Sequence, residues 1–346
     1  MNQEKTKRVL TVKRKIQFTI ISLLLGFMVI IAFGEILIRI VNPQPYLYPR
    51  WQYSSSYGAI LYPNVTMVNK RPGIWKFKYQ INSLRYRGKP VPIAKVYRKN
   101  NIVVLGDSYG FGTGVNDGEE FAAILGSELK ENHEVINLSV GGWGLTQHIR
   151  RFYEFGKLYQ PKIVILQYCK NDLRDNFSNR VTVIKNDEFK FVNSELSVNW
   201  VKKYMSKSFI QKSQIYNLFR NNIYKLYEDK EVDAQLNLRK AENNNAPKAE
   251  IFYADLLTLF AEELGSQGIS VIMISVNGDL EKSDYLKSVV NHLNRTKHFK
   301  YVNVNPWFAS MHDYGSPEGH IWGKKGHKIL GENLVKVIKA MESDDE

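Results

Sequence analysis

Four short stretches of this 346-residue chain carry residue types suited to acyl transfer. The first is Gly106-Asp107-Ser108, directly behind the apolar run Ile102-Val103-Val104-Leu105. A buried strand that stops at a glycine and presents a serine where a helix begins leaves the hydroxyl exposed and a backbone N–H directed at whatever it attacks. The tripeptide reads equally as a plain helix cap, a position serine often takes. The second stretch, Ser139-Val140-Gly141-Gly142-Trp143-Gly144, follows the strand-like residues 135–138, and the third, Cys169-Lys170-Asn171-Asp172-Leu173, follows the apolar run 163–166. The Ser108 N–H, the Gly142 N–H and the Asn171 side-chain amide are three donors of the kind a tetrahedral oxyanion needs, and losing one such donor costs about 3 kcal/mol of transition-state stabilisation. Asp172 cannot serve, because a carboxylate only accepts hydrogen bonds. The fourth stretch, Ser316-Pro317-Glu318-Gly319-His320, puts an imidazole in a loop after the last predicted strand, where it can take the serine proton. His327 falls on the following helix and reads as structural.

These residues must be positioned by the elements between them. Apolar runs predict strands at 102–105, 135–138, 163–167, 269–275 and 301–304, alternating with helices at 121–130, 147–158, 251–264, 285–293 and 326–341. That alternation implies a flavodoxin-like three-layer α/β/α sandwich around a five-stranded parallel sheet. In such a sheet the strand ends lie side by side, and the crevice outside them binds ligands. Between about 178 and 248 the alternation breaks down. Lysines 202, 203, 207, 212, 225 and 230 and Arg220 share this stretch with Phe209, Ile215, Tyr216, Leu218, Phe219 and Tyr224, which reads as a helical insertion, either a lid or a basic cover, with a flexible loop at 241–245.

Taken in order, Gly106-Asp107-Ser108 with Gly112, Gly142 in its glycine-rich block, Asn171-Asp172 and His320 resemble the four blocks of the SGNH, or GDSL-type, hydrolases. The resemblance spans roughly residues 98 to 340, and the lead-in Ile81-Asn82-Ser83-Leu84-Arg85-Tyr86-Arg87-Gly88 is similar to that of membrane-anchored members acting on envelope polysaccharides. It implies a serine esterase or O-acyltransferase with Ser108 as nucleophile, Ser108, Gly142 and Asn171 around the oxyanion, His320 as base and no cofactor. Where the family usually has an aspartate, three residues before the histidine, this chain has Pro317. Glu318 is then the candidate third member of the triad, Asp313 the other, and a serine–histidine dyad the fallback. A non-catalytic glycan-binding or assembly module and a lipid esterase are the alternative functions.

The remaining segments bear on location. Residues 17–40 are long and apolar enough to cross a bilayer, and the basic tail at 1–16, with Lys5, Lys7, Arg8, Lys13, Arg14 and Lys15, predicts a cytoplasmic N-terminus and an extracytoplasmic domain. The apolar stretch continues past a loose signal-peptidase-like site at Ala32-Phe33-Gly34, which favours an uncleaved anchor over a signal sequence. Glu35 reads as a snorkelling or Arg39-paired group. Residues 41–98 form an aromatic-rich linker in which Trp75, Phe77, Tyr79 and Ile81 alternate with polar residues, the pattern of a half-buried strand folded back on the domain spanning 99–341. Tyr46, Tyr48, Trp51 and Tyr53 suit a membrane interface or sugar stacking, while core packing is expected for Trp143 and Trp322. The net charge of +14 comes with no nucleic-acid motif, so its expected partners are acidic glycans or lipid headgroups. The single Cys169 excludes an intramolecular disulfide and reads as a small buried residue, and the acidic end at 342–346 reads as a solvated tail. No spacing suits a metal, and the glycines near Gly112 lack the lysine and hydroxyl of a phosphate loop.

Overall fold

The computed structural model describes residues 11–93, 100–194, 208–223 and 248–345. The apolar run forms helix α1 (Val12–Val41), which starts five residues earlier than the predicted span and buries none of its side chains. After it, the linker folds into short antiparallel strands: β1 (Tyr46–Tyr48), β2 (Gln52–Ser54), β3 (Gly58–Ile60), β4 (Val65–Arg71) and β5 (Trp75–Ile81). The order is β1-β4-β5 in one ribbon, with β2 and β3 paired beside it. The expected alternation holds in β5, where Tyr79 and Ile81 are buried and Lys76, Lys78 and Gln80 are exposed. Those inward side chains share a cluster with Phe111, Val140 and Trp143, so the linker is packed against the loops that carry the first two blocks.

The main sheet consists of β6 (Asn100–Leu105), β7 (His133–Asn137), β8 (Pro161–Tyr168), β11 (Ser270–Ser275) and β12 (Phe299–Val302), all parallel, in the order β12-β11-β8-β6-β7. Chain order reverses between β6 and β8, and that switch point is where an open parallel sheet leaves a crevice. Both faces of β6 are covered: Val103 and Leu105 join one core cluster and Ile102 and Val104 the other, which is why its sequence is an unbroken apolar run. One cluster is closed by α4 (Leu145–Glu154), α7 (Lys248–Ser266) and α8 (Asp284–Leu293), the other by α3 (Phe121–Glu128) and α9 (Lys324–Asp345). At about 1.5–3 kcal/mol for each fully buried Leu, Ile or Phe, these two layers supply the main force holding the strand ends in register. Trp143 and Trp322 are both 1% exposed core residues, and Cys169 is buried with its thiol pushed far up by burial.

Two short helices, α2 (Ser108–Phe111) and α5 (Asn171–Ser178), start at the ends of β6 and β8. The described part of the insertion, expected to be helical, includes strands. It opens with a hairpin of β9 (Thr182–Lys185) and β10 (Glu188–Phe191), whose Phe189 and Phe191 rings pack on Tyr153, and among its described residues 214–223 form an α-helix, α6. The lysines at 202, 203, 207, 225 and 230, Tyr224 and the 241–245 loop lie outside the described residues, as does the basic tail before residue 11. At the other end, the acidic residues prolong α9 as far as Asp345, and Glu342 reaches His133 at 2.8 Å.

One buried histidine has a measurable consequence. His148 on α4 is wholly enclosed beside Trp143, neither ring nitrogen has a partner among the described residues, and burial holds its pKa down to about 3. The unfolded chain takes up a proton near pH 6.5 that the folded chain refuses, so stability falls as pH drops below that value. Replacing His148 with Phe is expected to flatten the acid limb by roughly 3 kcal/mol between pH 6.5 and pH 4 relative to the unaltered protein. Parallel urea unfolding curves of the two proteins over that range check it.

Candidate active site

The turn that presents Ser108 is built by its neighbours in the sheet. Gln167 on β8 accepts hydrogen bonds from the backbone N–H groups of Asp107 (3.1 Å) and Gly110 (2.8 Å), while Asn137 on β7 donates to the Gly110 carbonyl (2.9 Å). This close approach requires Gly106, since a Cβ there would come within 2.5 Å of Gln167 Oε1. Asp107 caps α2 by accepting from the Tyr109 N–H (2.9 Å), and its second oxygen accepts from Asn171 Nδ2 (3.0 Å). Its carboxyl is fully buried, and burial raises its pKa against the opposing effects of these bonds and of His320 nearby. Ser108 thereby stands at the first turn of α2, and among the described residues neither its N–H nor its hydroxyl has a partner.

The Gly141–Gly142 turn faces it. A Cβ on Gly141 would lie 3.6 Å from Ser108 Cβ, whereas Gly142, at φ +77°, has open space around its Cβ position and an N–H without a partner among the described residues. Asn171 arrives from the N-terminus of α5. Its amide nitrogen is 3.0 Å from Asp107 Oδ2 and 3.0 Å from Asp175 Oδ2, so both amide hydrogens are engaged by carboxylates. Asp172 points into the interior, where it accepts the Cys169 N–H (3.2 Å) and burial lifts its pKa well above the carboxylate range.

His320 stands beside Tyr109, the residue that follows Ser108. Its ring packs edge-on against Tyr109 with centroids 4.8 Å apart, and its Nδ1 is paired with Glu318 Oε1. Asp313 is exposed, in the left-handed region at φ +59°. The loop bearing Glu318 is fastened to the loop after α2: Ser316 Oγ donates to the Gly114 carbonyl (2.9 Å), and a Cβ on Gly114 would meet Glu318 Oε1 at 2.5 Å. His327 is buried on α9, accepting the Phe121 N–H at 3.3 Å, and is held down to about 3 by burial.

Three residues near the site carry no site role in the sequence reading. Trp51, between β1 and β2, brings Cζ2 to 3.5 Å from the Gly141 Cβ position, so the linker delivers an indole to the rim beside Ser108. Its sequence context marks it only as one of four linker aromatics suited to a membrane interface or to sugar stacking. Asp175 was detectable, because it lies four residues after Asn171 and so on the same helix face. Arg87, in the lead-in block, is fully buried and donates to the carbonyls of Phe111 (2.9 Å), Gly112 (2.6 Å) and Val115 (2.9 Å) while pairing with Asp117 (2.9 Å) and Glu120 (3.2 Å). It ties the linker to the loop that supports Glu318. Arg87→Ala would leave Glu120 buried without its cation, a loss on the order of 3–5 kcal/mol. Chemical denaturation is expected to show that loss, with a lowered kcat in the fraction that folds.

Comparison with known proteins gives one kind of match. No family model matches the chain, and no curated protein matches it. Among solved structures, it is similar to a protein described as lipolytic, of the G-D-S-L family, from Desulfitobacterium hafniense (15% identity, 69% of this chain and 99% of that one, TM-score 0.42). It is similar to a psychrotrophic esterase from Pseudoalteromonas sp. (13% identity, 71% and 100%, TM-score 0.42). A catalytic mutant of an acetylxylan esterase from Geobacillus stearothermophilus is also similar (11% identity, 68% and 93%, TM-score 0.39).

Proposed function

We propose that the chain is a membrane-anchored GDSL-type serine esterase or O-acyltransferase, acting outside the cytoplasm on an acyl ester, acetyl by preference, of an envelope glycan. The observation that supports the chemistry is the grouping at one sheet edge of a carboxylate-paired imidazole with a serine hydroxyl and the Ser108 and Gly142 N–H groups, none of which has a partner among the described residues. His320 Nε2 takes the proton from Ser108 Oγ as the oxygen attacks the acyl carbonyl. Charge on the carbonyl oxygen is met by the Ser108 and Gly142 N–H groups. Asn171 joins them by turning one amide hydrogen away from Asp175 while Asp107 keeps the other. The ester C–O bond then breaks, and the imidazolium returns its proton to the leaving alcohol oxygen. Water or a sugar hydroxyl, deprotonated by the same imidazole, attacks the acyl-serine carbonyl, the bond from the acyl carbon to Ser108 Oγ breaks, and the imidazolium returns its proton to Oγ. Glu318 holds the Nδ1 proton and stabilises the imidazolium throughout.

The glycan and the location rest on α1 as anchor and on the resemblance of the lead-in block to envelope enzymes. The full chain in detergent is expected to turn over p-nitrophenyl acetate faster than the dodecanoate. Envelope glycans from cells carrying only Ser108→Ala are expected to show an altered O-acetyl content. Faster turnover of the long-chain ester would move the reading to a lipid esterase, and glycan binding without turnover to a non-catalytic module.

A further inference from the structure

Residues 16–33 of α1 form an apolar run that, at about 1.5 Å per residue, is on the order of 27 Å long, close to the hydrocarbon thickness of a bilayer. If that run spans the membrane, Glu35 and Arg39 lie at its far interface, and so does whatever is docked on them. What is docked there is the insertion. The Glu35 carboxylate accepts from the backbone N–H groups of Gln214 (2.8 Å) and Ile215 (3.1 Å) and from Ser213 Oγ (2.9 Å), capping α6 from outside its own segment. Arg39 pairs with Glu35 at 2.6 Å and donates to the Lys212 carbonyl at 3.3 Å. The Ile215 side chain lies against Gly34, and the Gln44 N–H bonds to Gln214 Oε1 at 2.5 Å. From the ribbon, Arg71 Nε donates to the Pro43 carbonyl at 2.9 Å, which brings the β4–β5 tip to the same place.

Both docked elements turn large apolar side chains outward. Phe209 is 78% exposed, Phe219 65%, Ile223 52% and, on the hairpin tip, Ile74 57%. Ile215, Phe219 and Ile223 follow at four-residue steps, so the stripe that begins on the anchor continues into open space. Lys212 and Arg220 sit among these apolar residues, the mixture by which an interfacial helix meets both acyl chains and lipid phosphates.

We propose that residues 208–223 and the hairpin tip at Ile74 form a foot that embeds in the lipid interface around the exit of α1, holding the Ser108 edge at a fixed position over the bilayer. The occupant of this apolar surface is phospholipid, because the surface is continuous with the bilayer-spanning helix and is hydrogen-bonded to it at interfacial depth. This rests on the anchoring reading of α1, and the test separates the two. Single cysteines at positions 24, 74, 158, 210 and 219 are placed in the full chain in a Cys169→Ser background, labelled with bimane and reconstituted into vesicles of phosphatidylethanolamine and phosphatidylglycerol. Lipids brominated high on the acyl chain are expected to cut emission at least by half at 74, 210 and 219, and lipids brominated deeper to do so at 24. Position 158, on the exposed turn before β8, should not respond. Adding Glu35→Ala should relieve quenching at 210 and 219 but not at 74. Strong quenching at 24 with labels 74, 210 and 219 behaving like 158 would overturn the foot while leaving the anchor. Absence of quenching at 24 would overturn the anchor and the foot with it.

Discussion

Ser108→Ala is expected to lower kcat for p-nitrophenyl acetate by 10³-fold or more, on the order of 4 kcal/mol at the least, with little change in KM. The size follows from what is lost. Without Oγ no acyl-enzyme forms, and the residual rate comes only from the unpaired Ser108 and Gly142 N–H groups acting on a water-attacked ester. The fold should be untouched, because the side chain has no hydrogen-bond partner among the described residues and its Cβ, which alanine keeps, makes the approach to Gly141. Steady-state kinetics together with thermal unfolding of the same preparation separate this result from misfolding: the rate collapses and the melting temperature does not move.

The second large effect belongs to Glu318. A glutamine there keeps the shape but replaces an acceptor-only carboxylate with an amide that can donate. The imidazole then holds its proton on Nε2, facing Ser108, where an acceptor is required. A drop in kcat on the order of 10³–10⁴ is expected, with the melting temperature nearly unchanged since glutamine fills the same, nearly enclosed space. Asp313→Asn should leave the rate within about twofold, because Asp313 is exposed and the partner of His320 Nδ1 is Glu318. Kinetics of the two variants side by side decide which carboxylate serves His320.

The legible part of the molecule was the part governed by periodicity. The unbroken runs at 102–105 and 163–166 are apolar because both faces of β6 and β8 are covered, and the four blocks follow strand ends, which any parallel sheet gathers at one edge. Boundaries moved by a few residues, as with α7, which runs from Lys248 to Ser266. What local sequence does not encode is contact between distant segments. Trp51 reaches the rim only because the ribbon packs on Phe111, Val140 and Trp143, and Arg87 is buried only because the loop after α2 wraps its guanidinium. The β9–β10 hairpin was missed because its four-residue strands are too short for alternation to register, and a turn at Asn186-Asp187, both at positive φ, was read as part of a basic helical stretch. Asn171 has the type and position for the oxyanion, but its engagement by Asp107 and Asp175 is a matter of side-chain geometry.

Covalent capture tests the central claim most directly. The full chain, solubilised in detergent, is treated with a fluorophosphonate and the modified peptide is sequenced by mass spectrometry. A single adduct on Ser108, absent in Ser108→Ala and slowed at least a hundredfold in His320→Ala, is the predicted result. A chain that hydrolyses esters yet takes up the probe at another residue, or not at all, would contradict the assignment of Ser108 as the nucleophile.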